Sequence, residues 1–95
     1  MTEIQVLKKQ FNPILRKYQV RHAELFGSFA RGDYKKSSDI DLIVQLGAQR
    51  GLFTLVRLKR ELKKVSGRRI DLLTPRSIHP LIKKNIKREK IKIYG

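Results

Sequence analysis

Two aspartates separated by one apolar residue, Asp39 and Asp41, have the spacing in this chain that is best suited to chemistry. Alternation of apolar and other residues predicts a β-strand over 39–46, with both aspartates on one face. The opposite face would carry Ile40, Leu42, Val44 and Leu46. Alternate side chains on a strand lie roughly 6.6 Å apart, so both carboxylates can reach one cluster of hard cations. Without a cation the pair is costly, and the spacing predicts a metal site.

A third aspartate, Asp71, lies in another short apolar run, Arg-Ile-Asp-Leu-Leu. Three of the chain's four aspartates therefore fall inside predicted strands of a strongly basic protein. The structural alternative is that each carboxylate pairs with a lysine or arginine. If the carboxylates bind metal instead, Mg²⁺ suits them, because it takes oxygen ligands from one or two carboxylates plus substrate phosphates.

Gly27 and Ser28 precede the aspartate pair and could bind phosphate. Glycine lets the backbone approach a ligand closely, and a hydroxyl at a helix N-terminus lies beside free N–H groups that favour an anion. A Gly-Ser pair also occurs in ordinary turns, where the serine caps the helix. The carboxylate pair eleven residues after Ser28 is what favours the phosphate interpretation.

In combination, these motifs resemble the minimal nucleotidyltransferases, or MNT proteins, of the DNA polymerase beta-type nucleotidyltransferase superfamily. The pattern of that family is Gly-Ser-x-Ala-Arg-Gly, a short polar loop, Ser-Asp-Ile-Asp-Leu, and a later strand aspartate. The matching residues here are Gly27, Ser28, Ala30, Arg31, Gly32, Ser38, Asp39, Ile40, Asp41, Leu42 and Asp71. The resemblance covers nearly the whole chain and, as a combined motif, is highly specific.

The resemblance implies a polymerase beta-like fold and transfer of a nucleoside monophosphate, expected to be AMP from ATP, to an acceptor hydroxyl. Asp39 and Asp41 would bridge two Mg²⁺ ions, and Asp71 would complete the second metal site and take the acceptor proton. The expected nucleotide-binding residues are Gly27, Ser28, Arg31 and Ser38.

The resemblance also implies a partner protein. Minimal members commonly act as the antitoxin of a toxin–antitoxin pair with a HEPN ribonuclease, and some attach AMP to a tyrosine of that toxin. The alternative is a catalytically silent antitoxin that neutralises its partner by binding. A third interpretation, a basic nucleic-acid-binding module, is less favoured because few aromatic residues besides Phe26 could stack on bases.

Length and composition predict one domain spanning residues 1–95, since 95 residues support a single modest core. The net charge of +15 favours an anionic partner such as a nucleotide, a nucleic acid or an acidic protein face. No apolar run approaches the roughly 20 residues of a membrane span. We therefore expect a soluble cytoplasmic protein without membrane association.

The apolar periodicity predicts a small α/β or α+β sandwich, with helices on one face of a mixed sheet and the aspartate face open. Pro13 suggests either two short helices or one kinked helix within 2–18. The other predicted elements are a strand over 22–26, a helical turn over 28–31 capped by Ser28, a strand over 39–46, a helix over 52–65, a strand over 69–73, a helix over 78–90 and an edge strand over 91–94.

Overall fold

The computed structural model of the protein describes residues 2–47, 51–78 and 89–95. The helices are α1 (Glu3–Lys17), α2 (Gly27–Arg31) and α3 (Leu52–Ser66), with a short 3₁₀ turn at Pro75–Ser77. The strands are β1 (Val20–Phe26), β2 (Ile40–Leu46), β3 (Ile70–Leu73) and β4 (Ile91–Tyr94). The helix predicted over 78–90 falls mainly on 79–88, outside the described residues.

The four strands form one mixed sheet in the order β3-β2-β1-β4. β1 is antiparallel to both β2 and β4, whereas β2 and β3 are parallel. Parallel neighbours require a crossover connection, and α3 lies between β2 and β3 in the chain. The predicted α/β class and the edge strand over 91–94 are confirmed.

One hydrophobic core lies between the sheet and the pair α1 and α3, which contact each other. Strand β2 contributes Ile40, Leu42 and Val44 to this core, as its alternation predicts. Asp41 points to the other face, because neighbouring residues of a strand alternate. The buried residue of α2 is Phe29, so the short helix after β1 is anchored in the same core.

Helix α1 is continuous through Pro13, so of the two predicted alternatives the structure has one helix and not two short ones. A capping box between Thr2 and Gln5 begins the helix, and its buried side chains are Leu7, Phe11 and Leu15. An internal proline costs about 3 kcal/mol. Burying each large apolar side chain contributes about 1.5–3 kcal/mol, which offsets that cost while Pro13 itself stays exposed.

Helix α3 is rotated relative to the apolar stripe that helical periodicity predicts for 52–65, which consists of Leu52, Leu55, Val56, Leu62 and Val65. Its buried residues are Leu58 and Leu62, and the predicted stripe omitted Leu58. Three predicted members are instead exposed: Leu52 at 73%, Val56 at 49% and Val65 at 42%. At 3.6 residues per turn, a face centred on Leu58 and Leu62 turns Val56 well away from the core.

Side chains outside the core also join α1 to α3. The Tyr18 hydroxyl donates a hydrogen bond to Glu61 Oε2, and Lys17 Nζ lies 3.0 Å from Glu61 Oε1.

None of the helices in the described part of the chain is long and apolar enough to span a membrane.

Candidate active site

Asp41 and Asp71 lie opposite each other on the parallel strands β2 and β3. The ladder begins where Ile40 N donates to the Arg69 carbonyl over 2.9 Å, and each aspartate is one residue further along its strand. Adjacent strands lie about 4.8 Å apart, which is close enough for the charge of Asp71 to raise the pKa of Asp41. The structure therefore brings together two of the three predicted catalytic residues.

Asp39 lies just before β2 and is exposed, yet its charge reaches Asp41. Partial burial, the charge of Asp71 and the charge of Asp39 together raise the pKa of Asp41 to about 6, with Arg31 acting in the opposite direction. The three carboxyl groups thus form one electrostatic unit. At neutral pH this unit concentrates negative charge that a bound cation would relieve.

The alternative of structural ion pairs finds no support within 2–47, 51–78 and 89–95. None of the salt bridges among those residues involves Asp39, Asp41 or Asp71. Among the same residues, no group of three or more histidine, cysteine or acidic side chains is arranged so that it could hold a metal ion. The facing carboxylates of Asp41 and Asp71 would therefore supply only part of a Mg²⁺ site, since Mg²⁺ usually completes its shell with substrate phosphates and water.

Gly27 lies directly against the carboxylate of Asp41. A Cβ built on Gly27 would overlap Asp41 Oδ2 and lie 3.2 Å from Cγ, and Gly27 has a φ of 70°. Its neighbour Phe26 is the cross-strand partner of Asp41. The glycine of the predicted phosphate turn and the aspartate of the predicted metal site are therefore in contact.

The prediction that Ser28 caps α2 is wrong, because the helix begins at Gly27 and its N-cap is Phe26, without a side-chain hydrogen bond. Ser28 lies inside the helix because the positive φ of Gly27 turns the chain one residue earlier. The Ser28 carbonyl accepts hydrogen bonds from Gly32 N over 2.9 Å and Asp33 N over 3.1 Å. A phosphate-binding role for Ser28 stays a prediction.

Arg31 and Ser38 make contacts with the protein itself. Arg31 Nε lies 3.1 Å from Asp33 Oδ2, and Arg31 Nη1 lies 3.2 Å from Glu89 Oε2. The Ser38 hydroxyl accepts a hydrogen bond of 2.7 Å from Lys35 N, which closes the turn before Asp39. Their predicted roles in nucleotide binding remain predictions, and the structure adds a role in shaping the loop.

A stack of side chains beside the site was missed from the sequence. The rings of Phe29 and Tyr34 are parallel, with centroids 4.3 Å apart, and the Arg68 guanidinium lies 5.0 Å from the Phe29 centroid. Phe29 occupies the variable position of Gly-Ser-x-Ala-Arg-Gly, and an apolar residue there was the available signal. Arg68 carried no local signal in a chain with 23 lysines and arginines.

Comparison with known families and proteins shows extensive similarity. The family described as Nucleotidyltransferase domain matches residues 7–93. A Methanocaldococcus jannaschii protein named "Putative protein adenylyltransferase MJ0435" is 46% identical over 90 residues, covering 95% of this chain and 97% of the relative. The Thermococcus cleftensis protein adenylyltransferase MntA is 29% identical over 86 residues, covering 90% and 87%.

Solved structures share the fold. A structure titled "Structure of putative minimal nucleotidyltransferase" has a TM-score of 0.79 at 28% identity and covers 95% of both chains. A toxin–antitoxin structure with AMP-PNP also reaches 0.79, at 21% identity, covering 93% of this chain and 73% of that one. The MNT antitoxin complex with a tri-AMPylated Shewanella oneidensis HEPN toxin reaches 0.73 at 19%, covering 97% and 72%.

Proposed function

Because this chain belongs to the nucleotidyltransferase-domain family, we propose that it transfers AMP from ATP to a protein hydroxyl with the help of two Mg²⁺ ions. One observation carries the proposal: Asp41 faces Asp71 across β2 and β3 while the Gly27 turn packs against the same carboxylate. The proposed metal ligands and the turn that would hold phosphate thus lie next to each other at the start of β2.

Asp39 and Asp41 would hold the metal ions, and the ions supply charge stabilisation for the triphosphate and activation of the acceptor hydroxyl. Asp71 takes the proton of the acceptor hydroxyl. The hydroxyl oxygen then bonds to the α-phosphorus of ATP, and the bond between the α-phosphorus and the leaving pyrophosphate breaks. The position of Asp71 supports this role, because it lies directly opposite Asp41 on the neighbouring strand, within reach of the same substrate.

Gly27 and Ser28 would bind the phosphates. The absence of a side chain at Gly27 lets the Asp41 carboxylate lie against the backbone of the turn, so backbone N–H groups and the proposed metal ligands would engage the same triphosphate. Arg31 would be recruited from its ion pairs with Asp33 and Glu89, since a phosphate competes well for a bidentate guanidinium.

The proposed acceptor is a tyrosine of a HEPN-type toxin partner, with the chain acting as its antitoxin. Support comes from the similar solved structures, which include an MNT antitoxin bound to an AMPylated HEPN toxin. The net charge of +15 on the chain would steer an acidic partner surface towards it.

The test is transfer of label from α-labelled ATP, GTP, CTP or UTP to a co-expressed HEPN partner in the presence of Mg²⁺. We expect AMP to be attached to a tyrosine of the partner, detected by mass spectrometry and strongest with ATP. Complex formation without an adduct from any nucleotide would instead identify a silent antitoxin that acts by binding.

A matched pair of variants tests the metal assignment. Asp39→Asn/Asp41→Asn should lose Mg-ATP affinity in calorimetry, whereas Asp33→Asn, outside the carboxylate unit, should retain it. Unchanged Mg-ATP affinity in the double variant would contradict the proposed site.

A further inference from the structure

Arg68 occupies a rigid position at the end of α3. The helix ends at Gly67 in the left-handed conformation, and Gly67 N donates to the Lys63 carbonyl over 2.8 Å. The next residue, Arg68, donates its backbone N–H to Ser66 Oγ over 3.2 Å. These hydrogen bonds hold the Arg68 backbone against the end of α3, which fixes the point from which the Arg68 side chain extends.

The Arg68 guanidinium binds the loop that leads to the aspartate pair. Its Nη1 atom donates to the carbonyl oxygens of Lys35 at 2.9 Å, Lys36 at 3.0 Å and Ser38 at 3.2 Å. Because Nη1 carries two hydrogens, at least one hydrogen is shared between two acceptors. Three carbonyl dipoles of one short loop therefore converge on a single cationic atom.

The same guanidinium contacts the core residue of α2. It lies 5.0 Å from the ring centroid of Phe29, which is fully buried and stacks on Tyr34. A planar guanidinium can combine an aromatic contact with in-plane hydrogen bonds, and a lysine ammonium cannot reproduce both. Arg68 thus connects α3, α2 and the 33–38 loop.

We propose that Arg68 is a positioning residue for the carboxylate site, holding the 33–38 loop so that Asp39 lies at the start of β2 and Asp41 pairs in register with Asp71. Ser38, whose carbonyl it binds, directly precedes Asp39. Arg68 itself lies three residues before Asp71, so one side chain controls the approach to both strands. The consequence for transfer rests on the proposed function, whereas the effect on loop order does not.

The experiment compares Arg68→Ala and Arg68→Lys with Arg60→Ala, in complex with the partner. Arg60 is an exposed residue of α3, and its replacement removes the same charge as Arg68→Ala. Hydrogen exchange of the 35–39 amides, Mg-ATP affinity, kcat and KM for transfer are measured for each. Arg68→Lys keeps the charge and also tests the idea if Arg68→Ala fails to fold.

We expect faster exchange at 35–39 in both Arg68 variants and a kcat about 10–100-fold lower, the usual range for loss of a residue that orients ligand side chains. Millimolar guanidinium should restore part of the kcat of Arg68→Ala, whereas methylammonium should not. Arg60→Ala should match the wild type in every readout.

The outcomes separate the two proposals. Unchanged 35–39 exchange in the Arg68 variants, or full activity of Arg68→Lys, would overturn the positioning role whatever the reaction proves to be. If the wild-type protein transfers no nucleotide but the Arg68 variants loosen the loop and weaken Mg-ATP binding, the proposed reaction fails and the positioning of the carboxylates stands.

Discussion

Gly27 and Asp41 are in direct contact, and the room that Asp41 occupies exists because residue 27 has no side chain. Gly27 directly follows the last residue of β1, Phe26, and Asp41 lies opposite Phe26 on β2. The conformation of a turn and the position of a carboxylate are therefore coupled through one missing methyl group.

Gly27→Ala should abolish nucleotide transfer by displacing Asp41. The matched control is Gly32→Ala, because Gly32 also has a positive φ but a Cβ there would meet nothing within 4 Å. Both variants should lose about 1–2 kcal/mol of stability from left-handed strain, measured by urea unfolding. Only Gly27→Ala should also lose Mg-ATP binding in calorimetry, and equal binding by both variants would show that crowding at Asp41 is unimportant.

Asp41→Asn should stabilise the metal-free protein at pH 8. Burial and the neighbouring aspartates raise the pKa of Asp41 to about 6 from 3.8, so the folded state holds this proton more tightly than the unfolded chain. The stability from that proton is complete below about pH 4 and is lost as the pH rises through 6.

The measurement is Tm against pH in chelator for wild type and Asp41→Asn. Because the carboxyl is partly exposed and screened, we expect a difference of about 1 kcal/mol at pH 8 that shrinks towards pH 4. Adding Mg²⁺ should favour the wild type. Asp33→Asn, which loses its ion pair with Arg31, should not be stabilised at pH 8; a large Tm drop for Asp41→Asn would favour structural ion pairing.

Asp71→Asn should separate binding from transfer. Mg-ATP affinity should remain within about tenfold of the wild type because Asp39, Asp41 and the Gly27 turn are intact, whereas loss of a general base lowers transfer by about 10²–10⁴-fold. Mass spectrometry of the co-expressed partner measures the adduct, and calorimetry measures affinity. An adduct that persists undiminished would remove Asp71 from the mechanism.

Glu61→Gln should lower Tm without changing transfer. The hydrogen bond from Tyr18 and then the contact with Lys17 lower the pKa of Glu61, so the stabilisation is present at neutral pH and is lost as the pH falls through that lowered value. Tyr18→Phe should produce a similar small fall, and the double variant should be less than additive. Additive effects would show that the two side chains do not act as a pair.

The alternation around Asp39 and Asp41 predicted β2 and the face of Asp41 correctly. Because side chains on a strand alternate between its two faces, burial of Ile40, Leu42 and Val44 places Asp41 on the opposite face. Asp71 was predicted to join them, and the parallel register confirms the contact with Asp41. Local pattern was sufficient for these residues.

Other features depend on contacts between distant parts of the chain. Arg68 binds the backbone carbonyl of Lys35, which lies 33 residues earlier in the chain. Every residue has such a carbonyl, so the sequence does not indicate which one an arginine will bind. The helix start at Gly27 was missed because the positive φ of a glycine cannot be read from its neighbours in the sequence. The orientation of α3 was misjudged because several leucines and valines allow more than one apolar stripe, and only packing selects Leu58 and Leu62.

From the parallel pairing of β2 with β3 we expect an order of assembly. The contiguous hairpin of β1 and β2 contains Gly27, Ser28, Asp39 and Asp41, while Asp71 arrives only after α3 has crossed back to the sheet. Such non-local pairing is slow, because the entropy of loop closure must be overcome before the contacts form. During synthesis, a chain truncated within α3 would carry the phosphate turn and two carboxylates without the proposed proton acceptor, so chemistry should begin only once the crossover has closed.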